Sequence, residues 1–369
     1  MKFSIESGKR PFRLLFMATA LAVAGLSACK KDVVNTDPVL APSSSLADVI
    51  SSTPNYTILR AAIQKTSLTA LLSSNAQFTF LAPNDAAFGT LAAPYNSAAS
   101  IAALDPTVTA QAAQITALQN ILLYHIISGK IRVADLPGNG ITTQRSPAAA
   151  ARRDNAVFFP KIGSTLLINS VTPIVQPDIE AANGYLHGIG QILNQPAATF
   201  YGFITTAATN AVVINRQFVL LKQAIDQQTA QSLAMNPPLI PQLSFLNTDQ
   251  VVPLLPTSNG QVINYTFFAP TDAVLQAFLT AQGYSSITAV PYPDLTALLR
   301  RHLVLNARVF GPELAAGRQL TNAAGGTLTV GGSGSAFTVT SSLTNTTANI
   351  ASTNSFASNG TFYTVDRVL

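Results

Sequence analysis

Phe78-Thr79-Phe80-Leu81-Ala82-Pro83-Asn84-Asp85-Ala86-Ala87-Phe88 decides how the chain is read, because it returns as Tyr265-Thr266-Phe267-Phe268-Ala269-Pro270-Thr271-Asp272-Ala273-Val274. Each copy starts as an aromatic and β-branched run that favours a strand, stops at Pro83 or Pro270, and enters a helix. Asn84 and Thr271 carry the side-chain acceptor of a helix N-cap, and Asp85 and Asp272 put a carboxylate in the positively polarised first turn. Two further blocks recur in the same order. Leu122-Leu123-Tyr124-His125-Ile126-Ile127 matches Leu299-Arg300-Arg301-His302-Leu303-Val304, and Asn183-Gly184-Tyr185-Leu186-His187 matches Asn359-Gly360-Thr361-Phe362-Tyr363. Asn-Gly reads as a hairpin signal before a closing strand with alternating apolar positions. His125 and Asn183 are 58 residues apart and His302 and Asn359 are 57 apart, so the chain is two tandem copies of one unit.

The copies differ in two places. Ile63 to Pro83 is 20 residues and the matching Ile225 to Pro270 is 45, so the second copy holds about 25 extra residues within 229–264. That stretch is Pro-rich and reads as an irregular excursion, the kind of segment that carries binding. The first copy has about ten extra residues between Gly89 and Gln111. Local patterns add amphipathic helices over Tyr56–Lys65 and Ile214–Asp226, and a hairpin over Gly326–Ser341.

At the other end, Lys2, Lys9, Arg10 and Arg13 precede the apolar run Leu14–Leu26. Thirteen residues fall short of the roughly 20 that a membrane-spanning helix needs, so the run reads as a signal-peptide core. It ends in Leu26-Ser27-Ala28-Cys29, which resembles the lipobox of bacterial lipoproteins and makes Cys29 the expected lipidation site. Acylation at Cys29 and its new amino group passes the two-signal threshold for stable anchoring. Lys30, rather than Asp, follows the Cys; by analogy with enteric lipoproteins this favours the outer membrane, with the cell surface ahead of the periplasmic face. The expected organisation is a lipoprotein signal peptide at 1–28, a lipidated flexible tether at 29–44, a first domain at 45–196 and a second at 197–369. Of the formal charge of +5, most belongs to the leader, since 17 cations against 15 anions remain from residue 29 onward.

The three repeated blocks resemble the fasciclin-like domain, over nearly all of residues 45–369. The resemblance implies an α+β fold, two tandem fasciclin-like domains, each a β-sheet wedge flanked by helices. Two positions depart from the family pattern: Gly190 stands where the closing motif usually has Asp, which Asp366 keeps, and Tyr363 replaces the usual His, which His187 keeps. The resemblance also implies adhesion between cells or to matrix or polysaccharide. In some family members the Tyr-His segment contributes to receptor contacts. Tyr124-His125 matches it, whereas Arg301-His302 has lost the Tyr, so the resemblance carries that role to the first domain only. Tyr124 and His125, with their counterparts Arg301 and His302, are the candidate partner-binding residues.

The composition offers little chemistry. One Cys, three His and no Trp exclude a disulfide scaffold and the four-Cys or two-Cys, two-His zinc sites, so no metal and no cofactor is expected. His125 and His302 follow Leu118/Leu122 and Leu295/Leu299 at helical spacing, which places both imidazoles on an apolar stripe as structural residues. His187 reads the same way. No nucleophile motif or clustered acid pair accompanies them, so no catalytic residue is assigned and a hydrolase is disfavoured. Arg152-Arg153 and Arg300-Arg301 lack interleaved aromatics, which argues against nucleic acid. With only 10% charged residues, the surface suits recognition by shape and hydrogen bonds. The expected function is that of a lipid-anchored, non-enzymatic binding or adhesion protein recognising an envelope or extracellular polymer or protein, polysaccharide included. The alternative is a scaffold or accessory subunit of an outer-membrane envelope or polymer-uptake complex.

Overall fold

The structure is a computed structural model that describes residues 43–138, 140–145, 155–162, 165–170, 172–196, 199–205, 217–234, 265–334 and 336–369. The leader, Cys29, the tether up to residue 42 and residues 235–264 of the Pro-rich stretch lie outside the described residues.

In the first domain Ser45 opens the fold by capping α1 (Leu46–Ser52), exchanging bonds with Asp48 in a capping box. Helices α2 (Thr57–Lys65) and α3 (Thr69–Leu72) lead to β1 (Phe78–Pro83), α4 (Asp85–Gly89), α5 (Ala98–Ala102) and α6 (Thr109–Tyr124). Strands β2 (Ile126–Ser128), β3 (Ile141–Thr142), β4 (Ala156–Val157), β5 (Lys161–Ile162), β6 (Thr165–Ile168), β7 (Thr172–Ala181) and β8 (Gly184–Ile189) follow. The large sheet runs β2-β1-β8-β7-β6-β5. β1 lies inside the edge strand β2, antiparallel to it and parallel to the closing strand β8, with Leu81 opposite His187.

The second domain repeats this plan. Helices α7 (Phe200–Thr205) and α8 (Val219–Ala234) precede β9 (Tyr265–Pro270), α9 (Asp272–Ala281) and α10 (Tyr292–Arg301). The strands are β10 (Leu303–Leu305), β11 (Gln319–Thr321), β12 (Thr327–Ser333), β13 (Ala336–Ser341), β14 (Thr347–Ala357) and β15 (Gly360–Val365), in the order β10-β9-β15-β14-β13-β12-β11. β9 and β15 are parallel, with Phe268 opposite Tyr363.

Two apolar cores lie on opposite faces of β1 and of β9. Phe78, Phe80 and Ala82 face the helices, while Leu81 joins Ile127, Val157, Ile168 and Ile189 in a second core that the curved sheet encloses. Phe267 and Phe268 divide in the same way. Register shifts within β7 and β14 mark the bulges at which the sheet bends.

Three local expectations shift. The helix expected over Ile214–Asp226 is described only from Val219 and continues to Ala234, so residues 229–234 of the stretch read as irregular are helical. His125 and His302 sit at the C-caps of α6 and α10, one step beyond the helices whose stripe they were expected to extend. The Asn-Gly signal marks a real hairpin, yet Gly184 and Gly360 are already strand residues, paired with Ala181 and Ala357. Neither has a positive φ. Glycine is required there by close approach: a Cβ would stand 2.0 Å from the Phe78 carbonyl oxygen at Gly184 and 2.6 Å from that of Tyr265 at Gly360.

The domains meet through a small aromatic cluster. Phe158, beside Ala156, packs against Phe310 and Phe356 of the second domain at ring separations of 5.8 and 5.9 Å. The guanidinium of Arg308 lies 4.1 Å from the centre of the Phe158 ring and 5.0 Å from that of Phe356. It donates to the Ala357 and Ser358 carbonyls at 2.9 and 3.1 Å. Burial pulls its pKa down to about 9. Phe158 belongs to an excursion of the first domain. Thr143 and Asn322 bridge to the matching positions Ile127 and Val304, but the next strand of the large sheet begins at Lys161 in one domain and already at Thr327 in the other.

Candidate functional site

The two helix-end histidines are backbone staples. Leu193 N–H donates to His125 Nε2 at 2.9 Å, which leaves the ring proton on Nδ1, and Nδ1–H donates to the Ile121 carbonyl at 2.7 Å. In the second domain Leu369 N–H donates to His302 Nε2 at 3.0 Å and Nδ1–H donates to the Leu298 carbonyl at 2.8 Å. Each ring therefore ties the end of a helix to the chain just past the closing strand. His125 is fully buried and His302 is 1% exposed. Desolvation disfavours the charged ring and takes both pKa values down to about 4.

His187 and Tyr363 solve one problem with different side chains. Thr79 Oγ1 donates to the Gly129 carbonyl and accepts from Ile131 N–H, just as Thr266 Oγ1 donates to Ala307 and accepts from Val309. This makes Ile131 and Val309 equivalent. His187 Nδ1 accepts from Asp178 N–H at 3.0 Å, so its Nε2–H donates to the Ile131 carbonyl at 3.0 Å. Tyr363 donates its hydroxyl to the Val309 carbonyl at 2.8 Å. A buried carbonyl left without a donor would be costly. His187 supplies one in the first domain, and in the second Tyr363 shares the task with Thr361, whose hydroxyl also donates to the Val309 carbonyl at 2.8 Å. Burial lowers the His187 pKa and raises that of Tyr363.

The helix-entry residues reach further than their own helix. Asn84 and Thr271 cap α4 and α9 by accepting from Ala87 and Val274 N–H. Asp85 sits in the first turn of α4 yet accepts from Thr57 and Ile58 N–H and from the Thr57 hydroxyl, and so caps α2. Asp272 does the same for α8 through Val219 and Leu220 N–H, at 3.0 and 2.7 Å. The hairpin asparagines cap the entering helices: Leu46 N–H donates to Asn183 and Phe200 N–H donates to Asn359. Asn183 also donates to the Leu72 and Ser74 carbonyls. Asp366 accepts from the backbone and side-chain amides of Asn349, both at 2.7 Å. The matching Gly190 has no side chain with which to make that lock.

Tyr124 and Arg301 occupy equivalent positions and behave differently. The Tyr124 hydroxyl donates to the Ala156 carbonyl at 2.8 Å and accepts from Asn169 at 3.1 Å, with 1% of the residue exposed. Arg301 is only partly buried and lines a surface groove. Among the described residues no three His, Cys, Asp or Glu side chains converge as metal ligands, and no helix is long and apolar enough to cross a membrane.

A Fasciclin domain model matches residues 54–196 and again residues 242–369. The chain belongs to the fasciclin domain family. Protein sll1483 of Synechocystis sp. is 26% identical over 176 residues, covering 48% of this chain and 87% of that protein. The uncharacterized protein sll1735 of the same organism is 30% identical over 152 residues, covering 40% of this chain and 96% of that one. Among solved structures, a FAS1 domain pair from the insect cell adhesion molecule Fasciclin I aligns over 85% of this chain and 97% of its own, at 16% identity and a TM-score of 0.35. Fasciclin domains serve adhesion and protein binding.

Of the candidate residues of this fasciclin pair, the structure brings Tyr124 and His125 together in the interior, with their ring polar atoms engaged by protein. It places Arg301 at the surface beside a buried His302. Thr79, Thr266, Asn169, Phe158 and Arg308 were not singled out from the sequence. Thr79 and Thr266 had a usable signal, since both copies carry Thr at the second position of the Phe78 and Tyr265 blocks. Phe158 and Arg308 had none, because they are 150 positions apart and belong to different copies.

Proposed function

We propose that this fasciclin pair is a non-enzymatic binding or adhesion protein, anchored by lipid at Cys29 to the outer membrane and turned to the cell surface. Its partner is an envelope or extracellular polymer or protein. The observation that supports this reading best is the state of the three imidazoles. Each has both ring nitrogens committed to the backbone, as Ile121 and Leu193 hold His125, in a family that serves adhesion. Such rings stiffen a scaffold and present no base to a substrate. The leader ending at Cys29 supports the anchor, and the low charge of the surface supports recognition by shape and hydrogen bonding.

The test is proteinase shaving and antibody labelling of intact cells, with the Cys29→Ala variant beside the parent. Label on the parent cells, and its release into the soluble fraction on Cys29→Ala, is the expected result. Protection of the parent in intact cells sinks the surface reading and moves the protein to an envelope-scaffold role, for which stoichiometric copurifying envelope proteins are the signature.

A further inference from the structure

Arg301 is the one side chain of the repeated helix-end motif that the fold does not use. Its guanidinium makes no hydrogen bond or ion pair among the described residues, and Nε is shut off from solvent without a partner. Burial without a compensating charge lowers its pKa. Neighbouring Arg300 donates to the Ala323 carbonyl at 2.7 Å, so an acceptor was within the reach of this helix end. An unpaired guanidinium with five N–H donors is costly to hold half-buried. It is also pre-organised for a planar anion, which it grips with two parallel bonds.

The surroundings of Arg301 form a groove of about 540 Å³. Asp294, Ala297 and Arg301 lie on one face of α10 at spacings of three and four, with small Ala297 between the two charges. Phe278 and Tyr284 line it with aromatic surface, and Leu343, also in the lining, is 50% exposed. Gln282 adds an amide. The Tyr284 hydroxyl donates to Asp294 at 3.1 Å, which fixes that carboxylate as an acceptor. The lining is thus mixed, with polar groups converging beside aromatic and aliphatic surface, which suits a polar ligand that also carries an apolar face. The ligand must bring one carboxylate to Arg301, hydroxyl donors to Asp294 and a flat apolar face to Phe278 and Tyr284. A second anion next to Asp294 is disfavoured.

We infer that this groove binds an acidic sugar of the uronate type, presented by an extracellular or envelope polysaccharide. This deepens the proposed function and rests on its reading of the protein as a binding module. The matching position of the first domain holds Tyr124, closed into the Ala156–Asn169 network, so the site belongs to the second domain.

The experiment titrates the full chain with trigalacturonate, with the neutral galactose trimer and with triglutamate, by calorimetry or amide chemical shifts. Trigalacturonate is expected to bind at least tenfold more tightly than either control. Arg301→Gln is expected to weaken it tenfold or more, and Arg301→Lys by a smaller factor because the fork is lost. The melting midpoint of Arg301→Gln should not fall, since the fold spends nothing on that guanidinium; a marked fall overturns the premise. Equal affinity for the neutral trimer, tighter binding of triglutamate, or unchanged affinity in Arg301→Gln overturns the site. Surface exposure without uronate binding defeats this site alone, and uronate binding by a protein protected inside the envelope defeats only the surface reading.

Discussion

Below pH 6.5 the unfolded chain takes up protons at two imidazoles that the folded chain refuses. His125 and His302 are held neutral with pKa values of about 4, so the stability they support is complete above pH 6.5 and is lost as pH falls toward 4. Each should remove about 3 kcal/mol across that window. The check is the urea midpoint against pH. His302→Asn is expected to lower stability at pH 7 and to reduce the slope between pH 6.5 and 4, to which His125 and His187, its pKa also lowered, still contribute; an unaltered slope contradicts the staple. Glycine supplies a second contrast at this scale. Gly184→Ala drives a Cβ into the Phe78 carbonyl, whereas at Gly190 the nearest atom, of Val175, would be an ordinary 3.9 Å away. Gly184→Ala should therefore cost more than about 3 kcal/mol by denaturant unfolding and Gly190→Ala less than about 1.

At the scale of elements, each domain is clipped together by a carboxylate that begins one helix and caps another. Asp85 holds the start of α2 and Asp272 the start of α8, and the start of α2 carries no side-chain cap of its own. Asp85→Ala should thus cost about 1–2 kcal/mol in thermal or urea unfolding, more than the few tenths of a first-turn charge alone. Asp85→Asn, which keeps one acceptor, should recover part of it. The carboxylate was legible as a helix-entry residue because the signal is local. The helix start it caps lies 27 and 28 residues upstream, where no periodic pattern points. The same division holds elsewhere. The strand at Phe78, the hairpin at Gly326–Ser341 and the order of the repeats were readable from alternation and recurrence. The start of α8 was not, since apolar residues at Ile214 and Leu220 continue a helical pattern across the position where Asp272 caps the chain. The groove at Arg301 was legible only as a missing Tyr, because its walls come from a helix end and a strand turn far apart in sequence.

For the whole molecule the decisive contact is the one with no sequence signature, the packing of Phe158 against Arg308, Phe310 and Phe356. A desolvated cation over an aromatic face contributes roughly 2 kcal/mol, and Arg308 lies over two rings, one from each domain. Its bonds to the Ala357 and Ser358 carbonyls anchor it at the closing hairpin of the second domain. Lys130 reaches the matching Ala181 carbonyl in the first domain at 3.2 Å and pairs there with Glu180 at 2.8 Å. With Glu180 in place of Phe356, the first domain carries a Lys130–Glu180 ion pair where the second carries the aromatic joint. The two domains should consequently unfold together. Scanning calorimetry of the full chain is expected to show one endotherm, and Phe158→Ala, which removes no bond within the second domain, should split it in two and raise the radius of gyration in small-angle scattering. Arg308→Ala should do the same and also lower the transition of the second domain, because two carbonyls lose their donor. A single unshifted endotherm and an unchanged scattering curve for Phe158→Ala would mean that the cluster does not hold the pair. Fixed spacing between the domains matters to a binding protein because a rigid pair presents its groove at a set height and angle, and loses less entropy on engaging an ordered polymer than two loosely tethered domains would.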